Sequence, residues 1–284
     1  MDAELKRAVS IVGDLPSIPA ISSQVMVAIS DPATSADDLR AILEADPSLS
    51  ARVLKVANSS LYAFRREVDS LRHAVTLLGF RTVEALVLAA SLREVFQHFG
   101  LSERLLWEHS TMTGVVARRL ATYGPIDVER DVAFTAGLLH DLGKIALSNA
   151  YRQQYNTIMM RTYNDGVSFS EAERDEFGFD HAVLGAHVAS KWQLPPVLVA
   201  AIRFHHHHPD DYPPGPPEQA RMIALTSVAT RACTKLGIGR RGAADSLALE
   251  ENPAWQALGL TPEDVEPLLE CVVEETKGAE GLFG

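Results

Sequence analysis

The chain has 284 residues, 46% hydrophobic and 22% charged, which excludes collagen-like, disordered and disulfide-scaffold classes and leaves room for about two domains. With 26 Lys and Arg against 37 Asp and Glu the formal charge is -11, so broad electrostatic adhesion to nucleic acid or an anionic membrane is disfavoured, while a local basic pocket is not. Two cysteines, Cys233 and Cys271, point to an intracellular protein without disulfides.

The N-terminal segment carries Asp2, Glu4, Lys6, Arg7 and Asp14, and its longest apolar run, Ala8 to Val12 interrupted by Ser10, is shorter than a signal-peptide core. No stretch reaches the ~18 apolar residues of a membrane span, so the expectation is a cytoplasmic protein with no membrane partner. Helical periodicity starts at Ile18, Ile21, Val25 and Ile29 and breaks at Asp31-Pro32. Ser35 with Asp38 makes a capping-box-like start, and Asp46-Pro47 a second start with Pro at the first helical position. Ser70 caps a short helix that Gly79 stops, and Thr82 to Phe99, free of Gly and Pro, is a long buried helix. Beyond a boundary at Gly100, helices are expected over 105–123, 131–146, 151–164, 169–177 and 181–192, and from Pro195-Pro196 to about His208. Pro209 to Pro217, with five prolines and a glycine, is an exposed loop. Helix follows over 219–236, then a linker from Gly237 to Gly242, and Thr261-Pro262-Glu263 opens a closing helix to about Thr276. There is no alternating strand pattern and no internal repeat, and the class is all-α in two lobes meeting near residue 100.

The segment Leu138-Leu139-His140-Asp141-Leu142-Gly143-Lys144 carries the most chemistry. A His-Asp pair within an apolar helix must be hydrogen-bonded or metal-bound, and imidazole beside carboxylate suits Mn, Fe, Co, Ni or Zn better than Ca or Mg. His109 lies on the preceding helix, His181 begins another, and His205 and His206 end a third.

This His…His-Asp…His…His-His order, with its helical setting, resembles the HD superfamily of metal-dependent phosphohydrolases. The N-terminal lobe narrows the resemblance to the HDOD branch through Leu15-Pro16-Ser17-Ile18-Pro19, Asp46-Pro47-Ser48-Leu49, Leu54-Lys55-Val56-Ala57-Asn58-Ser59 and Ser70 to Gly79. It covers roughly residues 10 to 240 and implies a bacterial, all-helical signalling module, many of whose relatives have lost the HD residues and serve as regulatory or scaffolding domains. By this resemblance His109, His140 and Asp141 match the first metal ligands, and His181, His205 and His206 the extra ligands of two-metal, HD-GYP-like members. Lys144 matches a phosphate-contacting lysine, so Asp141 and Lys144 are the candidate catalytic pair. The closing aspartate falls on Ser227, a poor ligand, and Gly-Tyr-Pro is absent after His206. The implied organisation is an N-terminal lobe over 1–100, an HD-like lobe over 101–240 and a helical extension over 241–284.

Each residue has a plainer reading beside the functional one. His140-Asp141 would otherwise be a buried hydrogen-bonded pair, and His205 to His208 a solvated helix end, with His207 and His208 facing solvent because successive helical residues diverge by about 100°. His73 and His98 are surface or helix-contact residues, His187 is structural, and Arg65-Arg66 is a solvated turn. Trp107 and Trp192 either wall the cleft or belong to the core. The leading expectation is a regulatory protein that binds a signalling protein partner or a small ligand and retains a divalent transition metal (Fe, Mn, Zn, Co or Ni). The alternative is a metal-dependent phosphohydrolase acting on a nucleotide or other phosphoester, with cyclic di-GMP hydrolysis disfavoured. A third reading, nucleic-acid binding, is opposed by the charge and the lack of a basic, aromatic-rich face, so no nucleic-acid partner is expected.

Overall fold

The computed structural model describes residues 20–59, 62, 64, 67–96 and 100–279, together with Lys6, Ala8 and Val9. The Leu15 to Pro19 motif, Arg65, Arg66 and His98 lie outside the described residues. Among the described residues every regular element is helical. The chain divides into two compact units, one containing residues 18–95 and the other residues 96–270.

The first unit holds α1 (Ala20–Ser30), α2 (Ala36–Glu44), α3 (Pro47–Ala57), α4 (Leu71–Leu78) and α5 (Phe80–Val95). Its starts are set by side chains that satisfy orphan amides of a first turn. Ser35 and Asp38 close a reciprocal capping box on α2, Asp46 accepts from the amides of Ser48 and Leu49 on α3, and Ser70 accepts from His73 on α4. Val25, Leu39, Leu43, Val53, Ala74, Val75 and Val83 are fully buried in one apolar cluster. Asn58 replaces a missing ladder. Its amide donates to Val68 O at 2.8 Å and accepts from Val68 N at 2.7 Å, tying the segment after α3 back to that helix. The helix expected to reach Phe99 ends at Val95. No single helix among the described residues is long and apolar enough to cross a membrane.

The second unit opens with α6 (Leu101–Leu120) against α7 (Arg130–Leu139), followed by α8 (Leu142–Ala150), α9 (Arg152–Asp165) and α10 (Phe169–Phe177). Then come α11 (His181–Lys191), α12 (Pro196–Phe204), α13 (Pro217–Lys235) and α14 (Pro253–Ala257), and α15 (Val265–Ala279) begins in this unit, its residues from Cys271 on grouping with the first. Residues 244–257 remain attached to α13: Lys235 Nζ donates to Leu247 O at 2.7 Å, the Ala244 amide donates to Lys235 O, and Trp255 is buried. Trp107 and Trp192 are also buried, and neither lines the cavity described below.

Three sequence expectations are corrected here. The helix expected over 131–146 is broken at His140-Asp141, leaving α7 and α8 as separate rods. The break frees the Asp141 carboxylate from any capping bond and turns it toward the histidines. The helix expected to reach His208 ends at Phe204, and His205 is its C-cap. His208 is exposed as expected, but His207 is half-buried, its ring 5.1 Å from that of Phe204.

Candidate metal centre

The site is assembled where α8 crosses α11. A Cβ on Gly143 would lie 1.9 Å from His181 O and 2.8 Å from Gly185 N, so only glycine permits this approach of backbones. The crossing sets Asp141, two residues before Gly143, against His181, the first residue of α11. His181 Nε2 lies 3.2 Å from Asp141 Oδ1. A second close approach brings in His109. Gly239, at φ +65°, passes over it where an added Cβ would fall 2.4 Å from His109 N, and Ile238 O is thereby placed 3.1 Å from His109 Nδ1.

Six predicted residues are brought side by side. Ligand atoms of His109, His140 and Asp141 all lie within 4.8 Å of one another, and so do those of His181, His205 and His206. Asp141 joins the two groups: Oδ2 is 3.3 Å from His140 Nε2 and 3.9 Å from His109 Nε2, while Oδ1 faces His181. His206 Nε2 is 3.0 Å from His181 Nε2, and the His206 residue as a whole is exposed at the rim. Lys144, read from the sequence as a phosphate contact, has its Nζ 2.7 Å from Asp141 Oδ2 and 4.3 Å from the Phe169 ring centre.

The hydrogen bonds orient the rings. Nδ1 of His109 faces Ile238 O, Nδ1 of His140 faces Gly137 O at 2.6 Å, and Nδ1 of His205 faces Ile202 O at 2.9 Å. A carbonyl only accepts, so each Nδ1 carries the proton and each Nε2 presents its lone pair inward. Thr230 Oγ1 lies 2.9 Å from His109 Nε2 and 3.0 Å from His140 Nε2, and its single proton serves one of the two. His205 Nε2 is buried without a hydrogen-bond partner. The centre therefore holds more buried lone pairs than donors, the condition a bound cation relieves.

The titration behaviour agrees with this imbalance. Burial pushes the His109 imidazole down to about 3 and holds His205 well below its ordinary range. Burial opposes ionisation of Asp141, yet His140 and Lys144 hold its carboxyl well below the usual range. For His181 burial is again opposed, here by the Glu173 carboxylate, and the imidazole rises to about 9. Without a cation His181 is thus an imidazolium between two carboxylates.

Two residues of the site were not singled out in the sequence. Glu173 is fully buried and accepts from the His181 amide at 2.8 Å, from His181 Nδ1 at 2.6 Å and from Tyr155 Oη at 2.9 Å. Its signal was its place beside Ala172 on the apolar stripe of α10, in line with Phe169 and Phe177. Thr230 is the second. The α13 side chain that meets the histidines is Thr230, not Ser227, which is a turn earlier and accepts from Asn252 Nδ2 at 3.2 Å. The alignment of the closing aspartate with Ser227 is corrected accordingly. A polar row of Ser227, Thr230, Arg231 and Thr234 in a mostly buried helix was the available sign.

The centre forms the floor of a cavity of about 690 Å³ whose walls include Tyr163, Phe169, Arg231 and Arg240. Neither His73 nor His187 is a member of either histidine group.

Comparisons with known proteins place this arrangement in context. The model of the HDOD domain family matches residues 15–208. An uncharacterized protein of Treponema pallidum (strain Nichols) is 26% identical over 194 residues, 68% of this chain, and the chain spans only 38% of that relative's length. Among solved structures, an HDOD domain protein with unknown function from Geobacter sulfurreducens superimposes with TM-score 0.79 at 26% identity, covering 98% of each chain. A protein from Shewanella amazonensis SB2B, whose name proposes phosphohydrolase activity, shares the fold with TM-score 0.71 at 22% identity, over 96% of this chain and 97% of that one.

Proposed function

Because the chain belongs to the HDOD family, we propose that it is a regulatory signalling protein that works by binding, with a divalent transition metal held by His109, His140, Asp141, His181, His205 and His206. One observation carries this reading: inward-facing imidazole Nε2 atoms of His109, His140 and His205 outnumber the available donors, and His205 Nε2 has no partner at all. The mixed imidazole and carboxylate set fits Fe, Mn, Zn, Co or Ni. A cation held there supplies Lewis-acid polarisation of a phosphoryl oxygen.

The chain's own residues favour binding over turnover. Lys144 is tied to Asp141 at 2.7 Å, and neutral Thr230 stands on α13 where it meets His109 and His140. The bound partner is a small anionic ligand or a signalling protein that senses its presence. The second reading, a metal-dependent phosphohydrolase, is favoured by the cavity that opens directly onto Asp141 and Lys144.

Elemental analysis of tag-free protein, paired with a turnover assay on nucleotides and cyclic dinucleotides, tests the proposal. Stoichiometric transition metal, lost in His140→Ala, with no appreciable turnover supports it. Absence of metal from the unsubstituted protein overturns the metal assignment. Robust metal-dependent turnover abolished by Asp141→Ala promotes the phosphohydrolase reading.

A further inference from the structure

The segment after α13 forms a short strap whose two legs are tied to one place. The Gly237 amide donates to Thr234 O at 3.1 Å, the Ile238 amide to Cys233 O at 2.9 Å, and the Ala244 amide returns to Lys235 O at 3.1 Å, so both legs are fixed to the last turn of α13. The near leg lies on the metal centre. Ile238 O accepts from His109 Nδ1, and the buried Gly239 passes over the His109 main chain. The far part carries Arg240, half-buried, and Arg241, exposed. Their guanidinium carbons lie 5.8 Å and 5.5 Å from the centre of one ring, that of Tyr163 on α9. His109, Gly239, Arg240 and Tyr163 all line the same cavity.

The two contacts of the strap differ in strength and in consequence. Ile238 O keeps the His109 proton on Nδ1 and so keeps the Nε2 lone pair turned inward. A strap that lifts withdraws that acceptor. Lifting is opposed at the arginines by cation–π attraction, which is weak per contact at an exposed site but is made twice on one ring. Tyr163 also reaches Asp141. Its ring meets Phe169 edge-on with centres 6.1 Å apart, Lys144 Nζ lies 4.3 Å from the Phe169 ring centre, and Lys144 bonds Asp141 Oδ2 at 2.7 Å. Contiguous contacts therefore run from the Tyr163 ring to both His109 and Asp141.

We propose that the strap over residues 237–244 is a latch on the metal centre: clasped on Tyr163 it holds His109 in its ligating position, and released it lets the metal leave. Occupancy of the buried centre thereby sets how firmly Arg240 and Arg241 are held at the surface. The inference rests on the histidine cluster holding a metal, as proposed above, and adds the element through which a buried ion is reported outside. The coupling is reciprocal, because the factor by which closing favours the metal is the factor by which the metal suppresses opening.

The test is limited trypsin digestion of the full chain, metal-stripped and loaded with Mn²⁺, with the fragments cut after Arg240 and Arg241 followed by mass spectrometry and Mn²⁺ content measured in parallel. Cleavage there follows the open population when opening is fast. The loaded protein is expected to be cut at least tenfold more slowly than the stripped one. Tyr163→Leu, which removes both ring contacts, should raise cleavage and the rate of Mn²⁺ release to excess chelator by the same factor, about fivefold. Tyr163→Phe should behave as the unsubstituted protein. Thermal melts show whether the variants fold, and the comparison of loaded and stripped unsubstituted protein decides if Tyr163→Leu does not. Stoichiometric Mn²⁺ uptake with equal cleavage in the two states overturns the latch and leaves the metal assignment standing. So does a folded Tyr163→Leu variant with both rates unchanged. No uptake of Mn²⁺ or of another transition metal overturns the assignment, and the latch with it.

Discussion

Gly143→Ala tests the way the site is built. The added carbon would sit 1.9 Å from His181 O and 2.7 Å from His181 C, and the next nearest atom, Gly185 N at 2.8 Å, is also backbone. No flexible side chain can yield, so α8 and α11 must separate by at least ~1 Å. Overpacking of this kind costs roughly 1–3 kcal/mol where neighbours can adjust, and the upper end applies where they are main chain. At roughly 2–4 °C per kcal/mol, the melting temperature should fall by about 6–12 °C. The same displacement moves His181 off Asp141, now 3.2 Å away. Metal–ligand distances tolerate only about ±0.2 Å, so metal affinity should drop by about 10–100-fold, as when a supporting contact is removed. Melting followed by circular dichroism and metal titration read the two effects. Gly242→Ala is the control, since nothing lies within 4 Å of its added carbon. Gly143→Ala that melts with the unsubstituted protein and keeps its metal would refute the reasoning.

Further outcomes follow from the same geometry. Thr230→Asp places a carboxylate where His109 and His140 converge and should raise metal affinity, while Ser227→Asp should not; equal effects in titration would contradict the register of α13. In metal-stripped protein His181 is raised from 6.5 to about 9, so its contribution is complete below pH ~6.5 and is lost as pH rises toward 9. That contribution is on the order of 3 kcal/mol, and Glu173→Gln should flatten this alkaline decline in denaturant titrations across pH. His109 has the opposite sign: lowered to about 3, it withdraws stability as pH falls below ~6.5, a slope that His109→Gln should reduce. Metal binding near pH 7.5 should release a proton from His181, measurable by calorimetry in buffers of different ionisation enthalpy.

Much of the fold was legible because its signals are local. Ser35, Asp46 and Ser70 cap the helices they were expected to cap, and Gly79 ends the one it was expected to end. The break at His140-Asp141 carried no proline or glycine at the break itself. It is held by tertiary contacts to histidines distant in the chain, which periodicity does not register. The histidines of the site were found through a motif resemblance, and the crossing that unites them depends on Gly143 meeting His181, a contact spanning some 40 residues of sequence. Ser227 and Thr230 lie one turn apart on the same face of α13, so the choice between them needed the actual helix register. Glu173 was one acid among several on α10, and only its burial against Tyr155 and His181 separates it from Glu171, Asp175 and Glu176.

The central claim is that imidazole Nε2 atoms and Asp141 hold a transition metal. X-ray absorption spectroscopy of stoichiometrically loaded protein tests it most directly. The account predicts nitrogen and oxygen neighbours near ~2.0–2.2 Å with the outer-shell scattering of several imidazoles per metal, diminished in His205→Ala. A spectrum of oxygen neighbours alone, without imidazole scattering and unchanged by that substitution, would contradict it.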